Sequence, residues 1–475
     1  MAKPLGVPSA GGLSIWILPV GELMKIRFSA VLDRIRSSYW FVPAGMSLLA
    51  VVLSMLMLYL DRRFADRVPS DAWWLYGGGD EGARVVLSAI ATAMISVTSV
   101  VFSITIVALT LAAGQFGSRV LRNFMRDRGN QITLGTFIAT FVYAMLVLRT
   151  VRGVHDAEFV PPMAMSVGIL LVFLSVGVLI FFIHHVASSI QADSVVRSIA
   201  VETEDTIDRL FPDPIGKEGS GSDRPEAGKL GAAGLPTRFD ADAQPVRAPR
   251  GDQLAIVDHE KLMDLAVEHD LVVRLRARPG DFVVQGRVIA HVWKDGDLDP
   301  EVLKEVREVF AFGRSRSLQQ DAEFGILQLV EVAVRALSTG INDPFTAMNC
   351  VDRISSLLCR LSGRAFPEAE RFDDDGRLRI VLDTSSFTGF VDSAFNQIRQ
   401  NAGDSVAVLI RMLEGLETIG TQASTSEQRG ALEKHANLVL RAGLSQNLQK
   451  PDRENLERSH ASALQVIQSR QMVVE

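Results

Sequence analysis

Residues 40–60 read WFVPAGMSLLAVVLSMLMLYL and contain no charged side chain. A helix of about 20 apolar residues spans the hydrocarbon core of a bilayer. Three more uncharged runs follow, from Val85 to Ser118, from about Ile132 to Leu148 and from about Pro162 to Ile183. These runs predict an α-helical integral membrane protein with about four transmembrane helices. Because the second run is longer than one crossing requires, we expect its helix to continue beyond the membrane.

The composition of the chain fits a membrane part joined to a polar part. Of its 475 residues 48% are hydrophobic and 22% are charged, with a mean hydropathy of +0.20. The net charge of −6 argues against nucleic acid as a partner, because nucleic-acid-binding domains are strongly basic. Two cysteines, Cys350 and Cys359, are too few for a disulfide framework. No HExxH motif or Cys/His cluster is present, so we expect no metal and no other cofactor.

Lysine and arginine placement favours both termini in the cytoplasm. Basic residues precede the first span and occupy the loop between the second and third spans: Lys25, Arg27, Arg34 and Arg36, then Arg119, Arg122, Arg126 and Arg128. The bias is modest, because the opposite loops also contain arginine: Arg62, Arg63, Arg67, Arg84, Arg149 and Arg152.

Five segments are expected along the chain. Residues 1–38 form an N-terminal cytoplasmic segment in which Met24 is a second candidate start, because MKIRFSAVLDRIRSSYW is a typical basic lead-in. Residues 39–185 form the four-helix transmembrane domain, and residues 186–211 a cytoplasmic helical extension. Residues 212–250 are rich in Gly, Pro, Ser, Ala and Asp without periodicity, which predicts a flexible linker. Residues 251–475 form a cytoplasmic α+β domain.

The last of these segments is predicted to be mostly helical, with a small β-hairpin element. Residues 271–293, LVVRLRARPGDFVVQGRVIAHVW, alternate around turns at Pro279-Gly280-Asp281 and Gln285-Gly286, a pattern typical of a hairpin. No lysine lies at a turn for a swinging cofactor arm, so we interpret the hairpin as structural. Helices are expected at about 300–312, 322–337, 344–361, 386–401, 406–419 and 426–470, with a strand at 377–382.

Three stretches carry a family resemblance. They are residues 100–152, VVFSITIVALTLAAGQFGSRVLRNFMRDRGNQITLGTFIATFVYAMLVLRTVR, residues 278–286, RPGDFVVQG, and residues 335–354, RALSTGINDPFTAMNCVDRI. From about Met24 onward the chain resembles a widespread bacterial family of predicted membrane proteins, catalogued as domain of unknown function twenty-two fifty-four. The resemblance implies a multi-pass protein of the bacterial inner membrane. It brings no established activity and no catalytic residues.

Hydroxyl-bearing residues and glycines recur on one face of the second span. They are Thr92, Ser96, Ser99, Ser103, Thr110, Gly114 and Gly117. Such a stripe usually lets membrane helices pack closely. The alternative is a water-lined path in which hydroxyls solvate an ion or small solute. The four uncharged runs lack the intramembrane ionisable group that a proton-coupled pump usually needs.

Two basic features lie near the membrane surface. Arg119, Arg122 and Arg126 are spaced for one helix face, and we expect them to contact anionic lipid headgroups. The alternative is an electrostatic vestibule that draws anions to a pore. His184 and His185 end the fourth span, either as solvated interfacial side chains or as sensors of pH.

The GINDP motif is the most distinctive one outside the spans. Asn342 or Asp343 is suited to cap a helix, Pro344 to occupy its first turn, and Gly340 to allow a sharp entry. A cap and turn need no ligand. The alternative is that Gly340, Asn342, Asp343 and Pro344 contact a ligand or a neighbouring subunit.

Two functional hypotheses remain. The first is a homo-oligomeric channel or transport-like protein in the lipid bilayer, which passes a small ion or solute under control of its cytoplasmic domain. The second is a non-conducting sensor or scaffold whose cytoplasmic domain binds partners. No GxSxG or Walker motif is present, so we expect no enzyme and no catalytic residues.

Overall fold

The computed structural model describes residues 40–64, 76, 79–117, 127–151, 159–211, 235–313, 315–403 and 405–469. The chain forms two compact units. The first takes the chain up to Thr110 and again Leu121–Ser188. The second comprises Leu111–Val120 and everything from Ser189 onward. One long helix therefore begins in the first unit and ends in the second.

The described residues confirm the four predicted spans. Four helices are long and apolar enough to cross a bilayer: α1 (Phe41–Phe64), α2 (Asp80–Phe116), α3 (Arg128–Leu148) and α4 (Pro162–Ser189). Each helix is longer than the uncharged run that predicted it, because polar residues such as Asp61 and Arg84 continue the helix. As expected, α2 is longer than one crossing requires.

Helix α3 is the most enclosed of the four spans. Phe137 and Tyr143 are no more than 1% exposed. Helix α1 packs along α3. At Gly135 the approach is so close that a Cβ would lie 2.5 Å from the sulfur of Met46. Because glycine has no side chain, the two helices come into close van der Waals contact. Such contact drives the association of helices in a membrane, where lipid tails are as apolar as the helix surfaces.

A buried carboxylate at the end of α1 holds the start of α4. Asp61 is 2% exposed, and its two oxygens accept hydrogen bonds of 2.9 Å from the backbone N–H groups of Met163 and Ala164. The Tyr143 hydroxyl donates to the Ala164 carbonyl at 2.9 Å. The first N–H groups of a helix have no partner within the helix, so Asp61 caps α4 from another element.

The second unit contains two sheets and many helices. Its strands are β1 (Gln244–Arg247), β2 (Asp252–Val257), β3 (Val272–Leu275), β4 (Phe282–Val283), β5 (Val288–Trp293), β6 (Phe310–Gly313), β7 (Glu370–Phe372) and β8 (Leu378–Val381). One sheet has the order β1-β5-β3-β8-β7, the other β4-β2-β6. All pairings are antiparallel except β3 with β8, where Val273 lies opposite Ile380.

The helices of this unit are α5 (Ala192–Leu210), α6 (Phe239–Asp242), α7 (His259–Glu268), α8 (Pro300–Glu308), α9 (Ala322–Ala336), α10 (Pro344–Ser362), α11 (Phe387–Asn401), α12 (Val406–Gly420), α13 (Ser426–Leu444) and α14 (Lys450–Ser469). The sheets share a hydrophobic core with α7 and α8. Helix α9 packs against α5, α10 and α11, and α12 packs against α10, α13 and α14. The predicted mostly helical α+β domain is confirmed.

The predicted linker at 212–250 is wrong over its last part. Residues 239–242 form α6, and residues 244–247 form β1, which pairs with β5. Phe239 and Val246 are 2% and 3% exposed, so this segment contributes to a core that its polar composition concealed. Residues 212–234 of the predicted linker lie outside the described residues.

Other expected boundaries also differ from the structure. The hairpin at 271–293 is split, because β3 and β5 pair with each other whereas β4 joins the second sheet through β2. The helix expected at 300–312 ends at Glu308, since Phe310 and Phe312 alternate as strand β6 beside β2. The helical extension at 186–211 is the end of α4 followed by the separate helix α5.

Candidate functional site

The stripe on α2 lies on a face that no other described helix covers. Six of its seven members are exposed, namely Thr92, Ser96, Ser99, Ser103, Thr110 and Gly114. The buried face of the helix contains apolar residues instead, among them Leu87, Met94 and Val101. The stripe therefore does not pack the spans of one chain against each other. Its face is left for lipid, water or a second chain.

The hydroxyls of this stripe bond to their own helix. Ser99 donates to the Ile95 carbonyl at 3.0 Å and Ser103 to the Ser99 carbonyl at 2.9 Å. Ser96 and Thr110 bond in the same way four residues back, at 2.8 and 2.9 Å. The hydroxyl protons of these four residues are thus satisfied, and their oxygen lone pairs remain as acceptors on the exposed face.

Gly117, the last member of the stripe, has a different role. Its φ is +95°, and a Cβ there would lie 2.3 Å from Glu331 Oε1. Three residues earlier the Gly114 carbonyl accepts a hydrogen bond of 3.2 Å from Arg335 Nη1. The C-terminal end of α2 thus lies against α9, within the second unit. Only glycine gives both the backbone conformation and the space for this contact.

The basic features near the span ends are partly described. Arg119, Arg122 and Arg126 lie outside the described residues. His184 is exposed, whereas His185 Nε2 lies 2.6 Å from Asp127 Oδ2. Asp127 also caps α3 by accepting from the Gly129 N–H at 2.8 Å. His185 is therefore held at the start of α3 and is not a free interfacial side chain.

The GINDP motif forms a turn and a helix cap, as predicted. Asp343 accepts from the Thr346 N–H at 3.1 Å and from the Thr346 hydroxyl at 2.6 Å, at the start of α10. Asn342 has φ +50°, and Gly340 has open space around it. Phe345 is 78% exposed beside the cap. This geometry explains Asn342, Asp343 and Pro344 without a ligand, whereas Gly340, expected to allow the sharp entry, has no positive φ and the positive φ falls on Asn342.

The second unit also contains a cavity of about 360 Å³ that the sequence did not indicate. Its lining comprises Leu210, Phe211, His259, Met263, Leu275, Ala277, Arg278, Pro279, Gln320, Asp321, Ala322, Glu323, Pro367, Arg371, Ile380, Leu382, Asp383, Thr384, Ser385 and Phe390. The walls come from a sheet and from helices, because β3 and β8 contribute apolar residues and α9 contributes its first turn.

The RPGD turn forms one wall of this cavity. The Arg278 N–H donates to Asp281 Oδ2 at 3.1 Å, which closes the turn. Gly280 has φ +99°, and a Cβ there would lie 2.3 Å from Asp321 Oδ2. The glycine of the predicted structural hairpin therefore also makes room for an acidic side chain on the cavity wall.

Two ion pairs frame the cavity. Arg316 binds both oxygens of Asp321, at 2.7 and 3.0 Å, and Asp321 caps α9 through the Phe324 N–H at 3.1 Å. Arg278 donates to Glu323 at 3.1 Å and to the Ser385 hydroxyl at 3.0 Å. Such bidentate and charge-assisted bonds fix side chains in one geometry. The cavity is therefore preorganised.

Two further polar side chains line the cavity. Burial and the positive charge of Arg371 lower the pKa of His259 below its ordinary value of 6.5, so its imidazole is neutral at neutral pH. Arg371 Nη1 donates to the carbonyls of Glu368 and Glu370 at 2.6 and 3.1 Å. No group of three His, Cys, Asp or Glu side chains in the described ranges is placed to hold a metal ion.

The fold and the four spans define an α-helical integral membrane protein with a mostly helical α+β unit at its C-terminal side. The chain belongs to the family described as Predicted membrane protein (DUF2254), whose pattern matches residues 36–418. Uncharacterised proteins of Mycobacterium bovis and Mycobacterium tuberculosis are each 30% identical to it, over 97% of this chain and 87% of the relative. No solved structure matches the chain.

Proposed function

We propose that this protein is an oligomeric channel or transport-like protein in which α2 of each copy lines a path for a small ion or solute. The observation that carries this proposal is the uncovered hydroxyl stripe on α2. A hydroxyl gains nothing from facing lipid, whereas its oxygen can replace part of the hydration shell of a permeant species. The apolar, buried face of the same helix packs inside the chain and leaves the stripe for the path.

The second unit is the proposed regulator of this path. Glu331 and Arg335 contact the C-terminal end of α2 at Gly117 and Gly114. A change in the position of α9 therefore acts directly on the helix that lines the path. We propose no enzymatic step and no nucleic-acid partner for this unit.

The cellular placement belongs to the same proposal. The family favours the bacterial inner membrane, and the arginine and lysine distribution favours both termini in the cytoplasm. A reporter enzyme that is active only in the cytoplasm, fused after Glu475, should be active. Activity of an exclusively periplasmic reporter at the same point would place the C-terminus on the other side.

A non-conducting sensor or scaffold is the second candidate. The observation in its favour is that the stripe hydroxyls already donate within their own helix, so they require neither water nor an ion. Small residues of this kind let helices of two copies approach closely. In that case the stripe would be an interface between copies and the second unit would bind partners.

Flux from liposomes separates the two candidates. The purified full chain should release trapped ions above the level of protein-free liposomes. The double variant Ser99→Leu, Ser103→Leu should abolish the flux without changing the size of the oligomer. The matched control Ser99→Thr, Ser103→Thr keeps both hydroxyls and should conduct.

The other outcomes favour the second candidate. If the leucine variant loses its oligomer as well as its flux, the stripe packs copies together. If the unaltered protein releases neither cations nor anions at acidic or neutral pH, the path does not exist and the sensor or scaffold remains.

A further inference from the structure

We propose that the cavity between the RPGD turn and the first turn of α9 is a binding site for a small carboxylate with an apolar body. This site is separate from the proposed path along α2. Ligand binding to the cavity can be measured directly, so the test of this proposal does not depend on conduction.

The size and walls of the cavity fit a small organic molecule. Its volume of about 360 Å³ lies near the lower end of ligand pockets, which span about 300–1,000 Å³. Leu275, Ile380 and Phe390 line it together with the half-buried Met263 and Leu382. Apolar walls with a few converging polar groups are the usual construction of such pockets.

The acidic groups inside the cavity already have partners. Asp321 is 7% exposed and accepts hydrogen bonds from Nε and Nη2 of Arg316. Glu323 accepts from Arg278 at 3.1 Å and from the Ser393 hydroxyl at 2.5 Å. Neither carboxylate is left for a ligand cation. Asp383 is exposed, so water screens its charge.

Arg371 is the cation that remains for a ligand. It lies on β7 and is half-buried, and Nη1 makes its bonds to backbone carbonyls. Nε and Nη2 make no hydrogen bond within the part of the chain that the structure describes. These two nitrogens are the pair that binds a carboxylate side-on through two parallel hydrogen bonds. A ligand whose carboxylate binds Arg371 and whose apolar body contacts the apolar wall matches both the charged and the apolar part of the lining.

The neighbouring groups favour an anion over a cation. The imidazole of His259 is neutral at neutral pH, because burial and the positive charge of Arg371 lower its pKa, so it can serve a ligand as a neutral hydrogen-bonding group. The first turns of α7 and α9 both contribute to the lining, at His259 and Ala322. The N-terminal ends of helices attract negative charge, and here the side chains of Asp258 and Asp321 already cap both ends, so the guanidinium of Arg371 is the group left for a ligand anion.

The position of the cavity suggests that a bound ligand would influence the end of α2, and this part rests on the proposed function. Helix α9 has Glu323 in its first turn at the cavity and, about 18 Å further along, Arg335, which contacts the end of α2. A ligand in the cavity therefore lies against the first turn of α9, at the opposite end of the helix from its contact with α2.

Binding to the purified full chain in detergent tests the proposal by calorimetry. The probes are phenylacetate, benzoate and hexanoate, each compared with its uncharged amide, and phenethylamine as the cation. We expect each carboxylate to bind at least ten-fold more tightly than its amide. Arg371→Gln should remove this difference. Arg377→Gln removes an exposed arginine in the same segment and should bind as the unaltered protein does.

A second variant keeps the test decisive if Arg371→Gln fails to fold. Met263→Trp narrows the cavity and should weaken every probe without touching a charge, and the unfolding temperature without ligand reports folding. The proposal is overturned if amides or phenethylamine bind as well as the carboxylates, if no probe binds, or if Arg371→Gln retains the preference. None of these outcomes depends on a measurement of flux.

Discussion

Histidine 435 shows how one buried side chain sets a pH dependence. It is fully buried in α13, and its Nε2 lies 2.7 Å from Asp392 Oδ1. Its Nδ1 has no hydrogen-bond partner among the described residues. Burial lowers the pKa of His435, although Asp392 opposes the shift, and the charges of Lys434 and Arg399 add to it. The folded state therefore holds a neutral imidazole at neutral pH.

The stability of the protein should fall as the pH drops from 7 to 5. Below about pH 6.5 the unfolded chain binds a proton at this histidine that the folded chain resists. The stabilisation is complete above that pH and is lost as the pH falls toward the folded pKa. His435→Gln should reduce the slope by at most about 1.4 kcal/mol per pH unit.

Urea unfolding of the full chain in detergent at several pH values measures this slope. Above pH 7 the variant and the unaltered protein should both show no slope from this residue. His259, His291 and His460 also have lowered pKa values caused first by burial, so part of the slope should remain in the variant. An unchanged slope in His435→Gln would contradict the assignment.

Residue roles were predictable where their partners are local in sequence. Asp258 and Asp343 cap helices that start at the next residue, and both caps could be predicted from the residue type and the pattern that follows. The pair Arg278 and Glu323 joins positions 45 residues apart, and nothing local in either segment indicates the other. The cavity depends on such pairs, so it was not predictable from either segment alone.

At the scale of elements, the cap of α10 is the part of the GINDP motif that can be tested alone. Asp343→Ala should destabilise the protein by about 1 kcal/mol, the typical loss of a helix cap. Asp343→Asn keeps an acceptor and should lose little. Asp299→Ala is a matched control, because Asp299 caps α8 through the Glu301 N–H at 2.9 Å outside the motif.

Chemical unfolding and oligomer size distinguish the two interpretations of this motif. A cap alone predicts that Asp343→Ala and Asp299→Ala lose similar stability and leave oligomer size unchanged. A change of oligomer size in Asp343→Ala only would instead assign the motif to a contact between subunits.

Elements were predictable in proportion to the apolar signal they carry. The four spans are long uncharged runs, which few other structures produce. Strand β1, in contrast, reads QPVR and buries only Val246, so its sequence gives no alternation to detect. It forms a strand because it pairs with β5, and β5 lies more than 40 residues further along the chain.

At the scale of the whole molecule, α2 begins in the first unit and ends in the second, where its C-terminal end contacts α9. Gly117→Ala should destabilise the protein by at least about 1 kcal/mol, because alanine at positive φ is strained and its Cβ would displace Glu331. Gly114→Ala is the control. It lies in a helix with open space around it, where alanine is neutral or stabilising.

Thermal unfolding of both variants in detergent measures the difference. If the channel proposal holds, Gly117→Ala should also alter flux while carboxylate binding at the cavity is unchanged. Equal unfolding temperatures for the two variants would show that the Glu331 contact is dispensable. This junction was not predictable, because the length of the second uncharged run indicated only that its helix continues.

The contact between the end of α2 and α9 also sets an order of events during synthesis. Gly114 and Arg335 are 221 residues apart. At about 5–20 residues per second, a ribosome makes α9 about 10–45 s after the end of α2. The span is made long before its partner exists, and the Gly114 carbonyl stays without the hydrogen bond from Arg335 for that time. In a stalled or truncated chain the C-terminal end of α2 would stay exposed, and proteases could recognise unfinished copies by it.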